Sequence, residues 1–174
     1  MPWRDIFFYA LDTATFSSIW YWLALVVTWA AASHWVLGVP YDILLFSRRY
    51  GAQAAEDLEK MVEINTRRIV TMMDWFGMWV VAAVAFTLSA LALIGFLYRL
   101  EFAQGIFMLS FPLIFVGMIN LSAARKLQAQ MLTGKALWRR LFFLRVWIQG
   151  IAAISIFVTA SYGMYFNISA PVGY

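Results

Sequence analysis

Four runs without charge, at 13–41, 75–98, 102–124 and 146–174, govern what this chain can fold into. Each exceeds the roughly 18 residues that mark a membrane-crossing helix. At about 1.5 Å per residue, each reaches across a hydrocarbon core of roughly 30 Å. Strands of a membrane barrel would alternate polar and apolar over about ten residues, whereas these runs are apolar on all sides. Composition points the same way. The chain is 64% hydrophobic and 13% charged, against about 45–50% and 25% in soluble domains, which leaves too little polar surface to cover a soluble globule. The expectation is an all-α polytopic membrane protein, a single membrane domain over 1–174. Four transmembrane helices, at about 14–37, 69–98, 102–124 and 142–166, form an up-down bundle, with cytoplasmic segments at 42–68 and 125–141.

Local signals refine the boundaries. Trp3, Ile6, Phe7, Phe8 and Leu11 form a helical stripe, so residues 1–12 read as a short helix lying at the interface. Asp12, Thr13 and Thr15 are cap candidates for the first membrane helix, and Trp20, Tyr21 and Trp22 suit an aromatic belt. That helix runs to about Leu37, where Gly38 and Pro40 end it. Leu58, Met61, Val62, Asn65 and Ile69 recur at helical spacing, with Glu56→Lys60 and Glu63→Arg67 as i,i+4 pairs. Helix 2 is therefore expected to begin near Glu56, project beyond the bilayer and continue to Tyr98. Arg99 and Glu101 bracket a tight turn, so helices 2 and 3 are antiparallel neighbours. Pro112 is expected to kink helix 3 or free a carbonyl. Helix 3 extends to about Leu132, and Thr133-Gly134-Lys135 forms a C-cap turn. Ala24, Thr28 and Ala32 on helix 1, and Ser155, Thr159 and Gly163 on helix 4, are stripes that allow close helix packing.

Basic residues set the orientation. Of 13 Lys and Arg, five lie between Arg48 and Arg68 and five between Arg125 and Arg140. The 99–101 turn has Arg99, the N-terminus has Arg4, and the tail has none. By the positive-inside rule both termini face outward, into the periplasm of a bacterial inner membrane. The net charge of +4 follows from this topology, and no nucleic-acid partner is expected. The sequence does not have the pattern of a secretory signal, because the apolar run after residue 12 is too long for one.

Few residues are out of place in lipid. His34 is the single histidine. One reading has it bonded within the bundle, to Asp74, Asn120 or a carbonyl. The other has it ligating a pigment such as bacteriochlorophyll, since Ala30-x-x-x-His34 leaves room for a flat ring one turn away and looks like the Ala/His pattern of bacterial light-harvesting helices. Asp74 is read as pairing with Arg68 or with a base of segment 125–141, or as a proton or cation site. Asn120 and Gln149 are expected to bond across helices 3 and 4, worth about 0.6–2 kcal/mol. Arg125, Lys126, Lys135, Arg139 and Arg140, with Arg145, form a purely basic group for anionic lipid or an acidic partner, the stretch 56–63 included. The absence of cysteine removes disulfides, thiolate metal sites and cysteine nucleophiles, and with them the usual ligation of an iron–sulfur cluster.

Phe16-Ser17-x-x-Trp20-Tyr21-Trp22 and Ser33-His34-Trp35-Val36-Leu37-Gly38-Val39-Pro40-Tyr41-Asp42, continued by Arg48-Arg49, Gly51 and Glu101-Phe102-Ala103-Gln104, resemble a small membrane-protein family of the alphaproteobacterial Rhodobacter–Roseobacter group. Its members carry the label of a component of the SufBCD complex. The resemblance implies an integral membrane protein that recruits a soluble iron–sulfur assembly machine through its cytoplasmic loops.

The residues themselves offer no catalytic constellation, so no enzyme is expected and no cofactor is required. The leading expectation is an inner-membrane accessory or assembly subunit that docks on a larger membrane complex, in contact with the bilayer, its anionic lipids and other membrane subunits. The alternatives are a pigment-contacting subunit of a photosynthetic or respiratory energy-transducing complex, and a small transporter or channel using Asp74 and His34.

Overall fold

The computed structural model describes residues 15–49 and 51–169. The interfacial helix expected over residues 1–12 lies outside them, as do the cap candidates Asp12 and Thr13 and the end of the tail. The fold is all-α apart from one small strand pair. In order it comprises α1 (Ile19–His34), β1 (Trp35–Val36), β2 (Val39–Pro40), α2 (Tyr41–Arg49), α3 (Ala52–Ala92), a π-turn (Leu93–Leu97), α4 (Glu101–Gln130) and α5 (Gly134–Ser169).

Among the described residues, three helices are long and apolar enough to cross a membrane: α3 with its π-turn (Ala52–Leu97), α4, and α5 over Gly134–Phe166. By length and composition this is a multi-pass membrane protein. The first helix is shorter than expected. It has 16 residues, about 24 Å, and ends at His34 rather than Leu37. The cause is local. Trp35 pairs with Pro40 and Val36 with Val39, around a two-residue reversal in which Leu37 (φ 54°) and Gly38 (φ 71°) are both left-handed. Two successive positive φ values suit the twist of a tight antiparallel reversal and cannot continue a helix. The start differs too. α1 opens after Ser18, which makes no side-chain cap, and the backbone N–H of Thr15 goes to Glu101 instead.

Segment 42–68 holds a helix, α2, ahead of the amphipathic extension that was expected to begin near Glu56. Gly51 (φ 87°) divides α2 from α3, and α3 begins at Ala52. The extension does not project alone, because α2 folds back along it. Leu44 on α2 and Leu58 and Val62 on α3 are buried in the same apolar core. The Glu56–Lys60 pair forms at 2.7 Å on its outer side.

The tight turns at 98–100 and 131–133 make α3, α4 and α5 successive antiparallel neighbours. α4 runs unbroken through Pro112 and ends at Met131, whose left-handed backbone (φ 45°) returns its N–H to Leu127 O at 3.1 Å. α1 lies against α5. On α5 the buried face includes Ala152, Ser155, Thr159 and Gly163, the stripe expected to pack. On α1 it is Leu25 and Trp29 that are buried, while Ala24 is exposed. Large side chains on α1 thus meet small ones on α5. At one end Phe16 sits 3.3 Å from where a Gly163 Cβ would be and stacks edge-on against Tyr21 and Tyr162.

Candidate functional site

Polar side chains fasten the bundle at both ends, and each end has a different character. At the end carrying the 98–100 turn, the helix termini leave backbone groups without helical partners. Gln104, 3% exposed, donates its amide to Gly95 O in the π-turn at 2.8 Å and accepts from the Tyr162 hydroxyl at 3.1 Å. Glu101 accepts the Thr15 N–H at 3.2 Å. The Tyr21 hydroxyl donates to Gly105 O at 3.2 Å, and the Trp22 indole donates to Phe16 O at 3.0 Å. Of the expected aromatic belt, only Trp20 is turned fully outward, 75% exposed. This knot joins α1, the π-turn, α4 and α5. Sequence reasoning took Glu101 for a turn marker and assigned Gln104 no role. The usable signal was a carboxylate and an amide one helical turn apart at the mouth of an apolar run, where polar groups face the bundle interior.

The opposite end is basic. The Asn65 amide donates to Gly38 O at 3.1 Å, which pins the reversal after α1 to α3. The Trp138 indole donates to Leu44 O at 3.2 Å, pinning α2 to α5. Glu59 accepts the Gly134 N–H at 2.6 Å, placing a carboxylate at the start of α5, where the helix dipole favours it. This contact is where stretch 56–63 meets the basic segment.

Between these anchors lies an open groove of about 1480 Å³. Its charged wall is Lys126, Lys135, Arg139 and Arg140, and its aromatic floor is Trp138, Phe143 and Trp147. A second cavity of about 320 Å³ prolongs it between α4 and α5, past Phe115, Met118 and Ile119. Lys126, Arg140, Phe143 and Trp147 line both, so the two adjoin, the larger carrying all four bases and the smaller lined mostly by apolar side chains. Among the described residues, none of the four bases pairs with a carboxylate. Glu59, the acid on the groove wall, is already held by Gly134.

The other expected site residues are scattered. Arg125 leaves the groove and meets Asp74 at 3.5 Å, both more than half exposed. Arg145 also leaves its group. Its guanidinium lies 3.5 Å from the Tyr41 ring centroid, a cation–π contact, and its Nη1 is buried with no hydrogen-bond partner among the described residues. His34 lines a cavity of about 10 Å³ beside Tyr41, Leu44, Leu141 and Arg145. That space cannot admit a macrocycle, so a pigment on His34 would have to lie against the outside of the bundle. Asn120 and Gln149 do not meet. Asn120 Oδ1 is buried with no partner among the described residues, and Gln149 is exposed, because the facing surfaces of α4 and α5 bury Ala123, Ala124 and Leu127 against Leu141, Leu144 and Ile148. Among the described residues no group of three or more His, Cys, Asp or Glu could hold a metal.

Compared with known proteins, the chain matches no family model, no curated protein and no solved structure.

Proposed function

We propose that this protein is a non-enzymatic accessory or assembly subunit of a bacterial inner membrane, which docks on a larger membrane complex through α3. One observation carries the reading. The most apolar 18-residue window of α3 is only 6% buried within the chain. Its outward side chains are large, with Trp75, Met78, Trp79 and Phe86 each at least 75% exposed. Lipid alone can cover such a face, yet rigid aromatic side chains are also what membrane and protein interfaces recruit.

In this reading four segments cross the membrane, α1 being the fourth. Support comes from its placement on α5. Phe16 meets Tyr162, and His34 shares a cavity with Leu141 and Arg145. The stretch of α5 between these contacts, from Arg145 to Tyr162, rises about 26 Å, close to the hydrocarbon thickness. The basic end faces the cytoplasm by the positive-inside rule, and both termini are periplasmic. The family resemblance adds a soluble iron–sulfur assembly complex to the partners that such a cytoplasmic face would recruit.

The test is purification of the tagged chain from its native membrane in mild detergent. The expected result is a stoichiometric membrane partner that is lost from a Trp75→Ser/Trp79→Ser variant still inserted in the membrane. A chain that purifies alone and conducts ions in liposomes would overturn the reading.

A further inference from the structure

We propose that the groove between α4 and α5 is a binding site for one anionic phospholipid. Its phosphate sits among Lys126, Arg139 and Arg140, and an acyl chain lies along Phe143, Trp147, Phe115 and Met118. The inference needs only that these helices cross a membrane, and it stands whether or not a partner complex exists.

Charge complementarity selects the occupant. Four bases surround the mouth without a carboxylate partner among the described residues, while Glu59 is engaged by the start of α5. Cations gathered without counter-charges at a membrane surface attract anionic headgroups, and arginine in particular presents a fork that matches phosphate oxygens. A soluble anion would need only the mouth. The groove continues instead into apolar walls, and the same four residues, Lys126, Arg140, Phe143 and Trp147, line the basic and apolar parts. The ligand therefore carries its charge and its hydrocarbon on one molecule.

Length agrees. From Lys135 to Trp147 along α5 the rise is about 18 Å, and from Lys126 to Phe115 along α4 it is about 16 Å. Each is near half of a hydrocarbon core of roughly 30 Å, which is the depth of one leaflet. The Asp74–Arg125 pair, one residue before Lys126, lies at the same level, as a charged pair at the edge of the hydrocarbon should. Trp138, on the groove wall within one turn of Lys135, is suited to the headgroup boundary, where indole rings concentrate.

The experiment uses the full chain purified in a neutral detergent, with phosphatidylglycerol or phosphatidylcholine of identical acyl chains added and bound lipid counted by native mass spectrometry. One phosphatidylglycerol should be retained at a concentration at least tenfold below that needed for phosphatidylcholine. The preference should fall to near unity in Lys126→Gln/Arg140→Gln and persist in Lys60→Gln, whose charge lies outside the groove. Millimolar inorganic phosphate should not displace the lipid. Equal retention of the two lipids, a preference that survives the double substitution, or displacement by phosphate would each overturn the proposal. A second arm keeps every charge in place, in case the double variant does not fold. In the unaltered protein, phosphatidylglycerol but not phosphatidylcholine should slow amide exchange across residues 131–137, and identical exchange with both lipids would count against the site.

Discussion

The amide of Gln104 bridges two helix ends, donating to Gly95 O at 2.8 Å and accepting from the Tyr162 hydroxyl at 3.1 Å. The Gly95 carbonyl lies in the π-turn that closes α3, where helical acceptors run out of backbone donors. Gln104→Leu keeps the volume and removes both bonds. A buried carbonyl and a tyrosine hydroxyl would be stranded, and the expected loss is about 1–3 kcal/mol. Gly95→Ala attacks the same contact from the other side, since its Cβ would lie 3.0 Å from the Gln104 backbone nitrogen, which cannot swing away. Thermal unfolding in detergent should show a lower midpoint for both. An unchanged midpoint for Gln104→Leu would mean that the knot does not hold the bundle.

Gly38 and Asn65 form the equivalent fastening at the basic end. Gly38 has a φ of 71°, and a Cβ there would lie 3.1 Å from Asn65 Nδ2, the atom that bonds Gly38 O. Gly38→Ala should cost about 1–2 kcal/mol from the left-handed backbone alone, with displacement of the amide adding to it. Asn65→Ala removes the bond and also makes room. The double variant should therefore be more stable than the sum of the two single losses implies, because neighbours that share a contact are not additive. Strict additivity in urea or thermal melts would refute the packing described at this reversal.

The chain's hydrophobic runs announce α3, α4 and α5, because about 20 uncharged residues in a row have few other fates. What escaped sequence reading was set by single residues acting on the backbone. Leu37 in a left-handed conformation (φ 54°) is not something leucine advertises, so the end of α1 was expected three residues beyond His34. α2 (Tyr41–Arg49) was not expected, and α3 begins at Ala52, four residues before the expected start near Glu56. At the site, the basic residues were legible as a group. Their division into groove lining, the Asp74 partner Arg125 and the Tyr41 partner Arg145 was not, since it depends on which side of α4 or α5 each faces. The aromatic floor of the groove was also invisible, because Phe143 and Trp147 look in sequence like any lipid-facing pair.

Glu59 caps α5 from a distant part of the chain, its Oε1 lying 2.6 Å from Gly134 N. Removing a side chain that satisfies an early helix N–H costs about 0.5–2 kcal/mol, and an exposed position belongs at the lower end of that range. Glu59→Ala should lower stability by about 1 kcal/mol, while Glu59→Gln, which keeps an acceptor but loses the favourable charge, should lose less. Both variants remove the acid from the groove wall, so both should retain anionic lipid at least as well as the parent. Weaker lipid retention in Glu59→Gln would show that the carboxylate shapes the site rather than merely capping the helix.

Asp74 is the membrane-proximal acid that a transport reading would need, and its surroundings argue for a lesser part. It is 60% exposed, and its contact with Arg125 is long, at 3.5 Å. Exposed pairs of this kind contribute about 0.2–1 kcal/mol, and salt screens them. A double-mutant cycle of Asp74→Asn and Arg125→Gln should return a coupling within that range, falling as ionic strength rises. Proton or cation uptake into liposomes, if any is observed, should be the same for Asp74→Asn and the parent. A coupling well above the range, or uptake abolished by the substitution, would restore Asp74 as a transport site.

The four-crossing arrangement makes a prediction that the cysteine-free background renders easy to read. Single cysteines at Ser17, Gln53, Tyr98 and Lys135 sit on exposed positions at the start of α1, the start of α3, the α3–α4 turn and the start of α5. If α1 crosses, Ser17 and Tyr98 share one side and Gln53 and Lys135 the other. A membrane-impermeant maleimide added to intact spheroplasts should then label the cysteines at 17 and 98, and reach those at 53 and 135 only after permeabilisation. If position 17 were instead labelled together with 53 and 135, α1 would not cross, the Thr15–Glu101 contact would not form in the membrane, and the bundle would have three crossings. The reverse pattern, with 53 and 135 accessible from outside, would keep four crossings but invert the orientation, moving the basic groove to the periplasmic face.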